Sequence, residues 1–147
     1  MGKRRAGRQA AVQFHFWRDM QRHDAPPRSE EFWEFCPAPQ KVRDFAQPLI
    51  DGMLQHLDQI DDRIRRYTAN YELGRLSAVD RNVLRLAIYE MLYRPDIPPV
   101  VSINEAIELA KTFGGSDSGR FVNGVLDRVK EDLSRPLREA APSAPNE

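Results

Sequence analysis

Residues Ser77–Tyr93 read SAVDRNVLRLAIYEMLY, and this stretch decides the fold class. Ser77 and Asp80 make an S-x-x-D pair just ahead of an apolar run, the pattern of a capped helix start. Wound at about 100° per residue, Val79, Val83, Leu84, Leu86, Ala87, Ile88, Met91 and Leu92 spread around most of the circumference. Arg81, Arg85 and Asn82 leave only a narrow polar stripe. A helix apolar on nearly all sides belongs inside, touching several neighbours at once. Arg94-Pro95 stops it, because proline disfavours helix in the residue before it. The segment is therefore expected to be the hub of a helical domain.

Downstream, RPDIPPVVS (residues 94–102) reads as an extended connector whose three prolines forbid helix. Ser102 and Glu105 form a second capping box, opening a helix with Ile103, Ala106, Ile107, Ala110 and Phe113 on one side. Gly114-Gly115 is a stop. Ser116 or Ser118 is expected to cap a last helix, whose Phe121, Val122, Val125, Leu126, Val129 and Leu133 share a face. From Pro136 the chain is small, polar and proline-rich, so residues 136–147 are expected to be a disordered tail on one domain, residues 1–135.

Upstream, a first helix is expected over Arg4–Arg22. On a helical wheel Phe16, Met20, Ala6, Trp17, Ala10 and Phe14 fill one arc. Arg18, Arg4, Arg22, His15, Arg8 and Arg5 fill the other, broken by Asp19. The charged arc is either a solvated face or a phosphate-binding one. It lacks the Glu-to-Lys spacing of a self-neutralising helix, and guanidinium groups offer paired donors to phosphate. Residues 24–28 (DAPPR) form a break. Ser29 is then expected to cap a short helix with Glu30 and Glu31 in its first turn and Phe32, Trp33 and Phe35 buried. Pro37-Ala38-Pro39 ends it. Val42, Phe45, Ala46, Leu49, Met53 and Leu57 mark a third helix, with Pro48 predicting a kink or a start near Phe45. Ile60, Ile64 and Tyr67 mark another, closed by a turn at Asn70–Gly74. No alternating strand pattern occurs, so the reading is all-α.

The 147 residues carry no net charge, but the charge is unevenly placed. Residues 1–22 hold six basic side chains against Asp19 alone, a net +5, while residues 23–76 sum to −3 and residues 77–147 to −2. A basic N-terminus suggests a polyanionic partner, nucleic acid above all. The single cysteine, Cys36, excludes an intrachain disulfide and fits a reducing cytosol. No stretch approaches the roughly 18 apolar residues of a membrane span. Gln9, Gln13, His15 and Arg18 interrupt any signal-peptide core. A cytoplasmic protein is expected.

Reactive groups do not converge in the sequence. His15, His23 and His56 lie in different segments, and none pairs with Cys36 at a metal-ligand spacing. Neither G-x-G-x-x-G nor a P-loop is present. Asp58, Asp61 and Asp62 read as solvated carboxylates paired with Arg65 and Arg66. Cys36, beside Phe35 and near Trp33, reads as a buried thiol. Catalysis, a cofactor and a metal are not indicated. Two features strain a core-only reading. Glu90 shares a side with Val79 and Val83, so it needs a structural partner such as an arginine or a helix N-terminus. Asn123-Gly124 sits mid-helix, where glycine costs about 1 kcal/mol relative to alanine. A close helix contact or a ligand near the backbone would offset that.

The stretch Val79–Val129, with its blocks LRLAIYEM, INEAIELAK and RFVNGVLD in order, closely resembles the NusB family. RRAGRQAAVQ resembles that family's opening arginine-rich helix, while residues 23–70 match only in helical pattern. Gln9 stands where a glutamate is common, Gly119 where a histidine is, and Tyr71 where a tryptophan is frequent. The resemblance implies an all-α fold of about seven helices in two small packed bundles. It implies an RNA-binding transcription antitermination factor without catalytic activity. Such a factor pairs with NusE, a small-subunit ribosomal protein, on single-stranded boxA-type RNA in nascent transcripts, notably of ribosomal RNA operons. It works as part of the RNA polymerase elongation complex. By resemblance, RNA contacts fall on Lys3, Arg4, Arg5, Arg8 and Gln9, and on Lys111, Asp117, Ser118, Arg120 and Phe121. Partner contacts fall on Phe16, Met20, Asp80, Arg81 and Leu84. Self-association through an exposed Phe16 or Met20, giving a homodimer, is a further implication. The enzyme-class alternative is the NusB-like accessory domain of an RNA cytosine methyltransferase, which needs a cofactor-binding domain after residue 147.

Overall fold

The computed structural model describes residues 2–21, 28–68 and 73–140. Among them are seven α-helices and no strand. None of the helices is long and apolar enough to cross a membrane. The chain divides into two compact units, Met1–Gln55 and His56–Glu147.

The first unit holds α1 (Lys3–Asp19), α2 (Ser29–Phe35) and α3 (Gln40–Gln55). α1 lies close against α3 because Gly7 has no side chain: a Cβ there would stand 2.6 Å from Phe45 Cδ1. Phe14 meets Phe32 edge-on at 5.6 Å, and Phe32 meets Trp33 at 5.1 Å. Edge-to-face pairs of this kind add about 0.5–1.5 kcal/mol beyond the area they bury. Gln47 ties the helices together, accepting from Trp33 Nε1 at 2.7 Å and donating to Ser29 Oγ at 3.2 Å.

Several local expectations change here. The buried arc of α1 is Gly7, Arg8, Ala10, Ala11, Val12, Phe14 and His15, so two members of the charged arc face inward. Phe16 and Met20, placed on the apolar arc, are 39% and 71% exposed. The small residues let α3 approach, which decides the packed face against raw polarity. Ser29 is the first helical residue of α2 instead of its cap; Arg28 holds the cap position, and no side chain caps the end. Phe35 is 79% exposed and Cys36 is exposed, not buried, because the short helix ends with both beyond the Phe32–Trp33 contact. α3 runs unbroken from Gln40 through Pro48, whose exposed side puts the displaced carbonyl within reach of water. The DAPPR break lies almost wholly outside the described residues, as does Arg22.

The second unit holds α4 (Leu57–Tyr67), α5 (Ala78–Tyr93), α6 (Pro99–Gly114) and α7 (Ser116–Glu131). α5 packs against α4, α6 and α7, which makes it the hub of this unit. Ser77 caps it, accepting from the Asp80 N–H at 3.1 Å, and it stops before Arg94-Pro95. Val83, Leu84 and Ile88 are fully buried. Each such side chain contributes about 1.5–3 kcal/mol of transfer free energy.

The narrow polar stripe of α5 is consumed internally. Arg81 donates to the carbonyls of Leu73 and Leu76, the latter at 3.1 Å. Arg85 grips Asp61 of α4 through two bonds of 2.8 and 3.0 Å and reaches Asn82 Oδ1 at 3.0 Å. Asp61 is therefore a buried partner of Arg85, 24 positions away, and not a solvated carboxylate of the α4 surface. Asp62 keeps the expected exposed pairing with Arg65 at 2.8 Å.

Glu90 does have a partner: the Ser102 hydroxyl donates to its Oε1 at 2.7 Å. Ser102 thus lies within α6 instead of capping it. The helix begins three residues earlier at Pro99, with Pro98 at the cap position. Proline at the first helical position loses an N–H that no carbonyl would have paired. Gly115, at φ 88°, turns the chain between α6 and α7 and also takes the cap position expected of Ser116 or Ser118. Beyond α7, Arg135 donates to the Ile97 carbonyl at 3.0 Å, and the Leu137 carbonyl accepts from the Val100 N–H at 2.8 Å. Of the expected tail, residues 141–147 lie outside the described ones, as does most of the Asn70–Gly74 turn.

Candidate nucleic-acid interface

In the first unit the basic residues begin α1. Lys3, Arg4 and Arg5 are exposed, and no acidic residue shares their turn. This arrangement opposes the helix dipole, which favours anions at an N-terminus by about 0.3–1 kcal/mol each. Arg4 is steadied by the Phe45 ring, its guanidinium carbon 5.7 Å from the centroid. Arg8 stands differently. It is 2% exposed, with its guanidinium carbon 5.4 Å from the same ring, so it does not join the exposed cluster. Gln9 is half-buried.

At about 100° per residue, Arg5, Gln9, Gln13, Phe16 and Met20 fall within one outward arc of α1. Residues expected to meet RNA and residues expected to meet a protein therefore share one stripe. Beside it, Gln13, Trp17, Phe32, Phe35 and Cys36 line an open apolar groove of about 390 Å³. Sequence reasoning missed this groove, because Phe35 and Cys36 read as core.

In the second unit the candidates gather at the α6–α7 corner. Lys111 is exposed in the last turn of α6, with its ammonium 3.7 Å from Glu108 Oε1. Asp117 and Arg120, 91% and 76% exposed at the side chain, pair with each other. The carboxylate is thereby neutralised within the corner. Ser118 and Phe121 are half-buried. Gly115 at the cap position has no side chain to pair the first N–H groups of α7, which a helix leaves without intrahelical partners. Two glycines tighten it. A Cβ on Gly114 would meet Ser118 Oγ at 2.3 Å, and one on Gly119 would meet Lys111 Cγ at 2.7 Å. Gly124 is the opposite case, exposed with nothing within 4 Å of the missing Cβ, which removes a close helix contact as its explanation.

Of the expected partner contacts on α5, Asp80 and Arg81 are half-buried and Leu84 is fully buried. Leu84 faces the core of its unit and offers no surface. Among the described residues no group of three or more His, Cys, Asp or Glu side chains is placed to hold a metal ion.

Comparison with known proteins gives a consistent result. The NusB family model matches residues 5–131. The transcription antitermination protein NusB of Myxococcus xanthus is 46% identical over 141 residues, covering 92% of this chain and 100% of that protein. A solved NusB from T. maritima superposes with a TM-score of 0.77 at 41% identity, covering 92% of this chain and 94% of that one. A structure of antitermination factors NusB and NusE in complex with dsRNA contains a chain that superposes with a TM-score of 0.78 at 25% identity, covering 90% of this chain and 99% of that one. The curated relatives of Myxococcus xanthus and Sorangium cellulosum are both named transcription antitermination protein NusB. The chain belongs to the NusB family of transcription antitermination proteins.

Proposed function

We propose that the protein binds boxA-type single-stranded RNA in nascent transcripts, notably of ribosomal RNA operons, together with the ribosomal protein NusE. In that role it is a non-catalytic component of the RNA polymerase elongation complex. The observation that carries the reading is the exposed Lys3–Arg4–Arg5 cluster, set against its own helix dipole and free of acidic neighbours in its turn. A phosphate backbone offsets that local cost. At the other candidate patch, the open N–H groups of α7 and the Lys111 ammonium suit a second stretch of backbone. The half-buried Phe121 ring suits a base. The outward Phe16 and Met20 of α1 suit the protein partner, with Asp80 at the start of α5 as a polar contact. A neighbouring structure that holds NusB and NusE with dsRNA supports the choice of RNA and NusE as partners.

The test is a gel shift and an anisotropy titration with ribosomal leader RNA, with and without NusE, over a salt series. Each lost phosphate contact on a single strand lowers the magnitude of the slope of log K against log salt by about 0.7. Charge reversal of Lys3, Arg4 and Arg5 is therefore expected to remove about 2 units of slope. Unchanged binding after that reversal refutes the face assigned here.

A further inference from the structure

We propose that Gly119 is a positioning residue for Lys111: its missing side chain makes the bed on which the lysine stem lies. The inference rests on the reading that Lys111 meets RNA backbone. A Cβ on Gly119 would stand 2.7 Å from Lys111 Cγ, 3.3 Å from Cε and 3.6 Å from Cδ. Successive atoms of one stem thus run alongside a single α-carbon, and Gly119 is buried with that stem against it. The closest atom is Cγ, whose place is set by χ1. A clash there cannot be relieved by bending the tip. It requires the side chain to leave its rotamer, and a helix allows few others, since χ1 near +60° runs into the preceding turn. A β-carbon at residue 119 therefore swings the ammonium away from the corner.

Glycine in a helix is unfavourable unless something needs the space. Gly124, in the same helix, has nothing within 4 Å of its missing Cβ, so the close approach at Gly119 is specific to that turn. Holding the stem flat leaves the ammonium 3.7 Å from Glu108 and the adjacent Cε alongside Gly119 in the first turns of α7, so that a phosphate at the start of α7 is within the lysine's reach. A lysine pre-set in this way orders less of its side chain on binding, which favours affinity.

The experiment uses the full chain with Gly119→Ala, Lys111→Ala, the double variant and Gly124→Ala, and a single-stranded ribosomal leader oligonucleotide as probe. Lys111→Ala is expected to lower the salt slope by about 0.7. Gly119→Ala should lower it equally, the double variant no further, and Gly124→Ala not at all. In thermal unfolding, Gly119→Ala should lower the melting temperature when Lys111 is present and raise it when Lys111 is alanine, because the clash is with that stem. Equal effects of Gly119→Ala in both backgrounds, or a wild-type slope in Gly119→Ala, overturn the proposal. The positioning is also read without RNA, from the NMR shifts of the Lys111 methylenes, which should move in Gly119→Ala. Unmoved shifts overturn it. Moved shifts with no RNA binding by the wild type refute the functional reading alone.

Discussion

Removing the Asp61 carboxylate tests the energetic centre of the second unit. The Asp61 and Arg85 side chains are 11% and 6% exposed, and they share two bonds of 2.8 and 3.0 Å between α4 and α5. Asp61→Asn keeps the shape and removes the charge, leaving a buried guanidinium without its counter-ion. Breaking one side of a buried pair costs about 3–5 kcal/mol. For a chain of this size each kcal/mol moves the melting temperature by about 2–4 °C, so the expected loss is on the order of 10 °C. The assay is urea unfolding followed by far-UV circular dichroism, comparing midpoints at constant m. Asp62→Ala, which breaks an exposed pair on the same helix, is the control and should cost no more than about 1 kcal/mol. Asp61→Leu combined with Arg85→Met replaces the pair by apolar volume and should recover most of the loss. If Asp61→Asn proves no more damaging than the Asp62 control, the pair is not desolvated and the reasoning fails.

Other outcomes follow from single contacts. Ser102→Ala deprives the buried Glu90 carboxylate of a donor at 2.7 Å and should cost about 1–3 kcal/mol in the same urea assay. Gly124→Ala fills open space in the interior of a helix and should stabilise by about 0.5–1 kcal/mol, seen as a raised urea midpoint. Burial, and then the hydrogen bond to Asp132, raise the Tyr67 phenol above its ordinary 10.0. A raised folded value means that this contribution is whole below pH 10 and is lost as pH rises through the folded value. Tyr67→Phe should therefore flatten the alkaline limb of the stability–pH curve above pH 10, measured by urea midpoints.

The hub helix was legible because independent signals agree on it. A cap pair, an all-round apolar surface and a proline stop each point to one segment, and none needs a distant partner to be read. Gly114-Gly115 was legible for the same reason. Ser102 misled because a serine three residues before a glutamate looks alike at a helix start and inside a helix. Pro98-Pro99, read as a connector, was the true start signal. Asp61 misled because the one-turn rule sees only local partners, and Arg85 lies 24 positions away. At the candidate site, residue types were legible but exposure was not: Arg8 and Leu84 are buried, whereas Phe35 and Cys36 are not.

The helical wheel of α1 failed in an instructive direction. A wheel sorts residues by polarity and assumes that the apolar arc is packed. Here Gly7, Ala10 and Ala11 give α3 its close approach, and they carry Arg8 and His15 inward with them. An arginine can be buried in this way because its stem is apolar and its guanidinium lies against an aromatic face, here Phe45. Phe16 and Met20 are left outside, forgoing up to about 1.5–3 kcal/mol each of burial energy. A chain selected for monomer stability alone gains nothing by that exchange. It gains if the outward stripe is covered in use, because the forgone burial then favours association instead of folding. That physical ground supports the proposal of a protein partner on Phe16 and Met20, about three turns along α1 from Lys3, Arg4 and Arg5.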